Sequence, residues 1–189
     1  MTDSPSEQQR NDAIAQVLDF WRQAGPARWF AKDDAFDNDF RDRFADAHEA
    51  ATDGRLDDWA DSADGCLALL ILLDQYPRNS FRDTARAFAT DDAARALADA
   101  AIDRGFDTAV DPALRTFFYL PFMHCEDIGV QELCVALCEE VGDPQVTKFA
   151  RLHRDLIARF SRFPHRNAIV GRQSTAEELA YLDEGGFIG

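Results

Sequence analysis

The sequence lacks a long apolar run. Its longest purely apolar stretch, residues 66–73, is much shorter than the roughly 20 residues that a helix needs to cross a bilayer. The segment that begins at Met1 has neither a basic stretch nor an apolar one, so it does not resemble a secretory signal. We therefore predict a cytoplasmic protein with no membrane partner.

Basic residues are also scarce. The chain has 20 lysines and arginines against 35 aspartates and glutamates, which gives a net charge of −15. Proteins hold the phosphates of nucleic acids with exposed lysine and arginine, and only residues 148–172 are rich in them. Because the remaining surface would repel a polyanion, we predict no nucleic-acid partner.

A paired spacing of cysteines is absent as well. Cys66, Cys125, Cys134 and Cys138 lie mostly among apolar residues, without the regular spacing of a disulfide framework. This pattern predicts free thiols in a reducing compartment.

The alternation of apolar and polar residues that marks a β-strand does not extend over a useful length. Apolar residues recur instead at helical spacing, with breaks at Gly25, Gly54 and Gly142. A chain of 189 residues with 46% hydrophobic content suits one domain with a sizeable core. We predict an all-α protein with a polar N-terminal tail over residues 1–12 and a single all-helical domain over residues 13–186.

The apolar pattern also predicts which helix faces are buried. Residues 66–73 are apolar on every side, which predicts a central core helix that stops at Pro77. Ile128, Leu133, Leu137 and Val141 mark a helix that Gly142 ends, and we predict core packing for its Cys134 and Cys138. For the last long helix, the predicted core face is Val146, Phe149, Leu152, Leu156, Ile157, Phe160 and Phe163.

Three prolines are each followed closely by polar side chains, at what we predict to be three helix ends. These groups are Pro77 with Arg78 and Asn79, Pro121 with His124 and Glu126, and Pro164 with His165, Arg166 and Asn167. Proline restricts the backbone around it, so each polar group is held on an unusually fixed bend. Rigid presentation suits a binding site, and it equally suits a structural junction at which side chains satisfy free carbonyls.

Residues 148–172, hereafter the cationic segment, reverse the charge of the rest of the chain. They contain seven basic residues and a single acidic one, Asp155. Such a segment must either neutralise carboxylates of the same protein or receive those of a ligand.

Five motifs together resemble the bacterial family known as domain of unknown function 924. They are residues 29–33 (WFAKD), 73–79 (LDQYPRN), 118–127 (FYLPFMHCED), 162–167 (RFPHRN) and 171–175 (GRQST). The resemblance covers roughly residues 14–184. It implies antiparallel helix pairs packed in a tetratricopeptide-like bundle or short superhelix, and it implies no established activity. Cys125 stands where the family usually has serine, which argues against a hydroxyl nucleophile at that position.

The predicted ligand-binding residues are arginines and asparagines near the prolines. Guanidinium groups bind carboxylates and phosphates through paired hydrogen bonds. The set is Arg78, Asn79, Arg159, Arg162, Arg166, Asn167 and Arg172. In a second interpretation, which the sequence leaves open, the arginines pair with Asp74, Glu126 and Asp127 as a structural ion-pair network.

The predicted proton-handling residues are His124, Glu126 and His165. An unperturbed imidazole titrates near neutral pH, so the two histidines suit acid–base catalysis, and a structural pair fits equally well. The spacing of His124 and Glu126 is not the i,i+4 arrangement of zinc ligands on a helix. We predict no metal and no cofactor.

Two functions follow from these residues. The first is binding, with or without turnover, of a small anionic metabolite in a cationic Arg/His pocket. The second is a tetratricopeptide-like scaffold that binds a protein segment, with the arginines and histidines as structural ion pairs. The 34-residue repeat signature typical of such scaffolds is missing.

Overall fold

The computed structural model describes residues 6–187, which form helices and turns without a strand. The all-α prediction is confirmed. The α-helices are α1 (Glu7–Ala24), α2 (Pro26–Trp29), α3 (Asp34–Thr52), α4 (Ala63–Leu70), α5 (Tyr76–Ser80), α6 (Asp91–Asp103), α7 (Leu120–Met123), α8 (Ile128–Val141), α9 (Pro144–Phe160) and α10 (Ala176–Asp183). Shorter 3-10 turns connect them at Asp57–Asp61, Ala85–Phe88, Phe106–Thr108, Pro112–Phe118 and Pro164–Arg166.

The buried apolar side chains form two groups. The larger one contains the apolar faces of α1 and α3 and almost every residue of α4, with Trp21 and Phe40 fully buried among them. The smaller one joins Leu156, Ile157 and Phe163, against which Tyr181 and Phe187 pack. The C-terminal part of the chain therefore has an apolar cluster of its own.

The central helix is buried as predicted, but it does not stop at Pro77. A π-helical turn, Ile71–Gln75, connects α4 directly to α5, and Pro77 lies in the first turn of α5. Proline has no N–H and clashes with the carbonyl four residues earlier, and the wider π turn relieves that clash. Pro121 and Pro164 likewise begin α7 and a 3-10 turn, so the three prolines start short helical segments instead of ending helices.

The widened turn leaves three backbone carbonyls without their usual helical partners, and side chains from elsewhere satisfy them. The Leu72 carbonyl accepts from the His48 ring at 2.9 Å, and the Leu73 carbonyl accepts from the Thr90 hydroxyl. The Asp74 carbonyl accepts from Arg78 at 2.9 Å. Buried carbonyls require such partners, so the π turn attaches the central helix to α3 and to the start of α6.

The predicted core packing of Cys134 and Cys138 in α8 is confirmed, but the buried faces of α8 and α9 differ in part from the apolar pattern of the sequence. In α8, Ile128 and Leu133 are 42% and 46% exposed, whereas Gln131, Cys134 and Cys138 are buried. The Gln131 amide donates to the carbonyls of Phe122, Met123 and Cys125, which a leucine cannot do. The buried face of α8 thus supplies hydrogen bonds to the carbonyls at the end of α7. There, the need to satisfy buried carbonyls outweighs the burial of apolar side chains.

In α9, Phe149 is 45% exposed, while Ala150 and His153 are buried beside Leu156 and Ile157.

All four cysteines are free thiols, as predicted, and only Cys125 is not fully buried.

Helix α1 begins at Glu7, inside the segment predicted as a polar tail, and its first residues are exposed. Residues 1–5 of that tail lie outside the described part of the chain. Among residues 6–187 no helix is both long and apolar enough to span a bilayer. The tetratricopeptide-like arrangement and the single-domain boundaries stay predictions.

The hydrogen bond between Thr90 and Leu73 predicts a stability difference between two matched variants. Thr90→Val leaves the buried Leu73 carbonyl without a donor, so we expect the free energy of unfolding to fall by about 1–3 kcal/mol in urea denaturation. Thr84→Val removes an exposed hydroxyl that donates to the Phe81 carbonyl and is the control, with little expected change. Equal losses in the two variants would contradict this role for Thr90.

Candidate functional site

A buried carboxylate, Asp74, lies at the centre of the candidate site. Its side chain is only 2% exposed, because Asp74 belongs to the π turn of the buried central helix. Oδ1 lies 3.1 Å from Arg78 Nη1 and 2.8 Å from His124 Nδ1, and Oδ2 accepts from the Gln75 amide at 2.6 Å. Burial would raise the pKa of this carboxyl, but the charge of Arg78 and the hydrogen bonds from His124 and Gln75 hold it well below its usual range.

Arg78 extends this pairing to helix α6. Its Nη1 and Nη2 donate to the two oxygens of Asp91 at 2.8 and 3.0 Å. Asp91 is the first residue of α6, where the helix dipole favours a negative charge. The central helix and α6 are therefore connected by a two-pronged charged hydrogen bond.

His124 is held in one tautomer by Asp74. Because an ionised carboxylate only accepts, Nδ1 must carry the proton, which leaves a lone pair on Nε2. Burial and the charge of Arg78 lower the pKa of His124 to about 4, so the ring is neutral at physiological pH. A base oriented by a buried carboxylate is the arrangement that general-base catalysis uses.

Arg166 makes few hydrogen bonds for a buried charge. Its side chain is only 9% exposed, and its guanidinium lies over the rings of Phe88 and Phe163. Nη1 donates to the His124 carbonyl at 3.1 Å and to Asp91 at 3.4 Å, while the buried Nε has no partner among residues 6–187. Burial and the nearby charge of Arg78 lower the pKa of Arg166 to about 10.

Glu126 is occupied by structural contacts. Its carboxylate accepts hydrogen bonds from both terminal nitrogens of Arg172 and from the backbone N–H of Phe163, the latter at 2.8 Å. Burial opposes ionisation of Glu126, but these donors lower its pKa, so it stays a carboxylate. These contacts tie the loop after α7 to the C-terminal segment, and they leave no free oxygen for proton transfer.

His124, Glu126 and Arg166 line a cleft of about 230 Å³, which we call the site cleft. Phe88, Pro121 and Val170 supply its apolar walls, and His124 and Cys125 also line it. Its charged lining residues are Asp91, Asp92, Arg95, Glu126, Arg166 and Arg172. Acids and bases are equal in number, so the pocket predicted to be cationic is balanced in charge.

Two further histidines lie near the cleft. His153 packs between the rings of His124, Phe163 and Phe187, and His165 contacts Phe163 and Phe187. Burial lowers the pKa of both rings to about 4, helped in each case by the charge of Arg166. His165 Nδ1 is buried without a partner among the described residues. The site thus contains three neutral imidazoles.

The other predicted ligand residues lie away from the cleft and have partners in the protein. Asn79 donates to Asp37. Arg162 forms a two-pronged pair with Glu178, and Arg159 pairs with Glu177 on the surface. Asn167 is buried and donates to Ser174, in the turn before α10. Asp127, an alternative partner in the structural interpretation, caps α8 by accepting from Val130.

The sequence analysis missed Asp91, Asp92 and His153, and it treated Asp74 only as a partner for arginine. Acidic residues in the first turn of an Ala-rich helix are typical of a helix start, so nothing in the sequence marked Asp91 and Asp92 as residues of a cleft. Cys125 lines the cleft as expected of a thiol beside His124, but burial raises the pKa of that thiol, which disfavours a reactive thiolate.

Comparison with known proteins agrees with the resemblance of the sequence motifs. Residues 17–186 match the family described as bacterial protein of unknown function DUF924. No curated protein matches the chain. The solved structure of ATU0120, a protein of unknown function from Agrobacterium tumefaciens, is 52% identical in sequence and superposes with a TM-score of 0.90. The similarity covers 93% of this chain and 99% of that one.

The different bonding of Arg78 and Arg166 predicts opposite effects of the same substitution. Arg78→Met leaves the buried Asp74 carboxylate without its cation, and we expect a loss of about 3–5 kcal/mol in the free energy of unfolding. Arg166→Met removes a guanidinium whose pKa is already lowered by burial, so the expected change is small or stabilising. Chemical denaturation of both variants measures the difference, and a larger loss for Arg166→Met would contradict it.

The neutral histidines predict a stability loss on mild acidification. His124, His153 and His165 have folded-state pKa values of about 4 against about 6.5 when unfolded, and burial lowers the pKa of His48 too. The unfolded chain therefore binds more protons below pH 6.5, so the free energy of unfolding should fall between pH 6.5 and 5. Each histidine contributes at most about 1.4 kcal/mol per pH unit.

His153→Phe should make this decline shallower, since one of the titrating groups is removed, while both proteins should show little pH dependence between pH 7.5 and 8.5. Urea denaturation across the two ranges provides the measurement. Identical slopes below pH 6.5 would show that His153 is not held neutral by the fold.

Proposed function

The chain belongs to the DUF924 family of bacterial proteins of unknown function, and on the geometry of the site cleft we propose that it binds a small molecule through an anionic group. One observation supports this most directly. Arg166 is a buried guanidinium with an unpartnered Nε and a pKa lowered to about 10, so the protein bears the cost of a charge that it does not fully satisfy. An incoming carboxylate or phosphate would supply a further acceptor for this guanidinium.

The surroundings of Arg166 favour a small ligand. A cleft of about 230 Å³ is smaller than the roughly 300–1,000 Å³ typical of pockets for drug-sized ligands. The rings of Phe88 and Phe163 fix the plane of the guanidinium, so a bound anion would be oriented without much loss of side-chain freedom.

His124 is the proton-handling group in this proposal. It lines the same cleft, its ring is neutral, and Asp74 fixes the tautomer that leaves Nε2 free to accept a proton. Glu126 has structural partners instead, and His165 does not line the cleft. Turnover of the bound molecule would therefore depend on His124.

A protein-interaction scaffold is the second candidate, and one observation favours it. Ile128 and Leu133 of α8 and Phe149 of α9 are large apolar side chains exposed on neighbouring helices.

Ion pairing of the cationic segment fits both functions. Six of its arginines each lie near a carboxylate of this chain, namely Arg151, Arg154, Arg159, Arg162, Arg166 and Arg172. No nucleic-acid or membrane partner is proposed, and a cytoplasmic location stays a prediction.

Thermal unfolding in the presence of small carboxylates and phosphates tests the binding proposal. A compound that binds only the folded protein, at a hundred times its Kd, stabilises it by about 2.7 kcal/mol, which raises Tm by about 5–10 °C. We expect at least one such compound for the unmodified protein and none for Arg166→Met.

Arg159→Met is the matched control, because Arg159 is an exposed arginine of the same cationic segment and pairs only with exposed Glu177. It should keep the full shift in Tm. Equal loss in both variants would indicate a nonspecific charge effect, and a panel without any shift would leave the scaffold as the better candidate.

A further inference from the structure

We propose that the ligand of the site cleft is a zwitterion, a small molecule of the α-amino-acid kind. Its carboxylate meets Arg166, and its ammonium group meets Asp92. This inference rests on the proposed function above.

The charge balance in and around the cleft argues against a ligand that is only an anion. Each arginine at the cleft already has a carboxylate of the protein nearby, with Arg166 near Asp91, Arg172 on Glu126, and Arg95 on a neighbouring acid of its own helix. Arg78, just behind the wall, is matched by Asp74. One further lining carboxylate, discussed next, makes the acids of this set outnumber its arginines, so a lone anion would add to an excess of negative charge, whereas a zwitterion would not.

Asp92 is the charged lining residue that remains unmatched. It has neither an ion pair nor a hydrogen bond within the described range of the chain, although it lines the same cleft as Arg166. Asp92 is exposed, so a ligand that enters the cleft from solvent can reach its carboxylate.

The cleft thus offers a ligand groups of both signs. Arg166 is about nine-tenths buried and its Nε has no partner among residues 6–187, as is also true of Arg172 Nε, while Asp92 is an exposed lining carboxylate without a protein partner in the same range. A ligand with one carboxylate and one ammonium group satisfies both without displacing any ion pair of the protein. Asp91 and Glu126 are unavailable for the ammonium group, because arginines already hold their oxygens.

The small volume of the cleft agrees with this class of ligand. A cleft of about 230 Å³ suits a compact molecule better than a nucleotide or a long chain. Phe88, Pro121 and Val170 offer apolar contact to a short side chain between the two charged groups.

Calorimetric titration with matched triples tests the proposal. Each triple consists of a common L-α-amino acid, the carboxylic acid that lacks its amino group, and the amine that lacks its carboxylate. We expect at least one amino acid to bind about ten- to hundredfold more tightly than either counterpart, the range that a charge-assisted hydrogen bond provides. In Asp92→Asn the amino acid should bind no more tightly than its carboxylic acid.

Asp103→Asn is the control, since it makes the same change of charge on an exposed position of α6 outside the cleft. It should retain the preference of the unmodified protein. The zwitterion proposal fails if carboxylic acids bind as tightly as the amino acids, or if Asp92→Asn keeps the preference. Binding of simple anions without binding of any amino acid would reject the zwitterion and keep the proposed function. Absence of binding for every triple and every simple anion would reject both.

Discussion

A carboxylate buried in the core is stable only if cations and hydrogen-bond donors surround it, and Asp74 imposes that requirement on this fold. Arg78, Gln75 and His124 meet it, each from a different direction. Arg78 then needs a second carboxylate, which Asp91 supplies from α6. The loop after α7 and the start of α6 therefore have to lie against the central helix.

Pro77 provides the backbone geometry for this arrangement. By widening the helix into a π turn, it frees carbonyls for His48 and Thr90, while Asp74 and Arg78, four residues apart, lie on the same side of the helix. The polar atoms released by the irregular turn are satisfied by side chains instead of water. A conformation that is costly alone is thus stabilised by contacts with α3 and with the start of α6.

The cationic segment completes the fold by pairing with the acidic remainder of the chain. Arg172 on Glu126 and Arg162 on Glu178 hold the C-terminal residues around their own apolar cluster. Arg166 differs from these arginines, because Asp91 is already held by both nitrogens of Arg78. The two interpretations of the cationic segment consequently apply to different residues: most of its arginines neutralise the protein, and Arg166 is the one to which we assign a ligand in our proposal.

Local patterns in the sequence were sufficient for the helical class, the buried central helix, the helix ends at glycine and the free thiols. Each of these depends on residues close together in the chain, through backbone geometry and the apolar period. The sequence also located the site near the three prolines, and His124, Glu126, Arg166 and Arg172 do line one cleft. Their partners were not predictable in the same way.

Arg166 and Asp91 are 75 positions apart in the chain, and His124 and Asp74 are 50 apart. Whether an arginine is paired or free depends on distances of a few ångströms between such residues, since charge interactions inside a protein weaken with separation and with exposure to water. The same holds for α8, where the carbonyls at the end of α7 made Gln131 the buried residue in place of Leu133. The sequence by itself determined the helices and the residue types near the cleft, and tertiary structure decided which charges are paired and how completely, because those pairs join residues far apart in the chain.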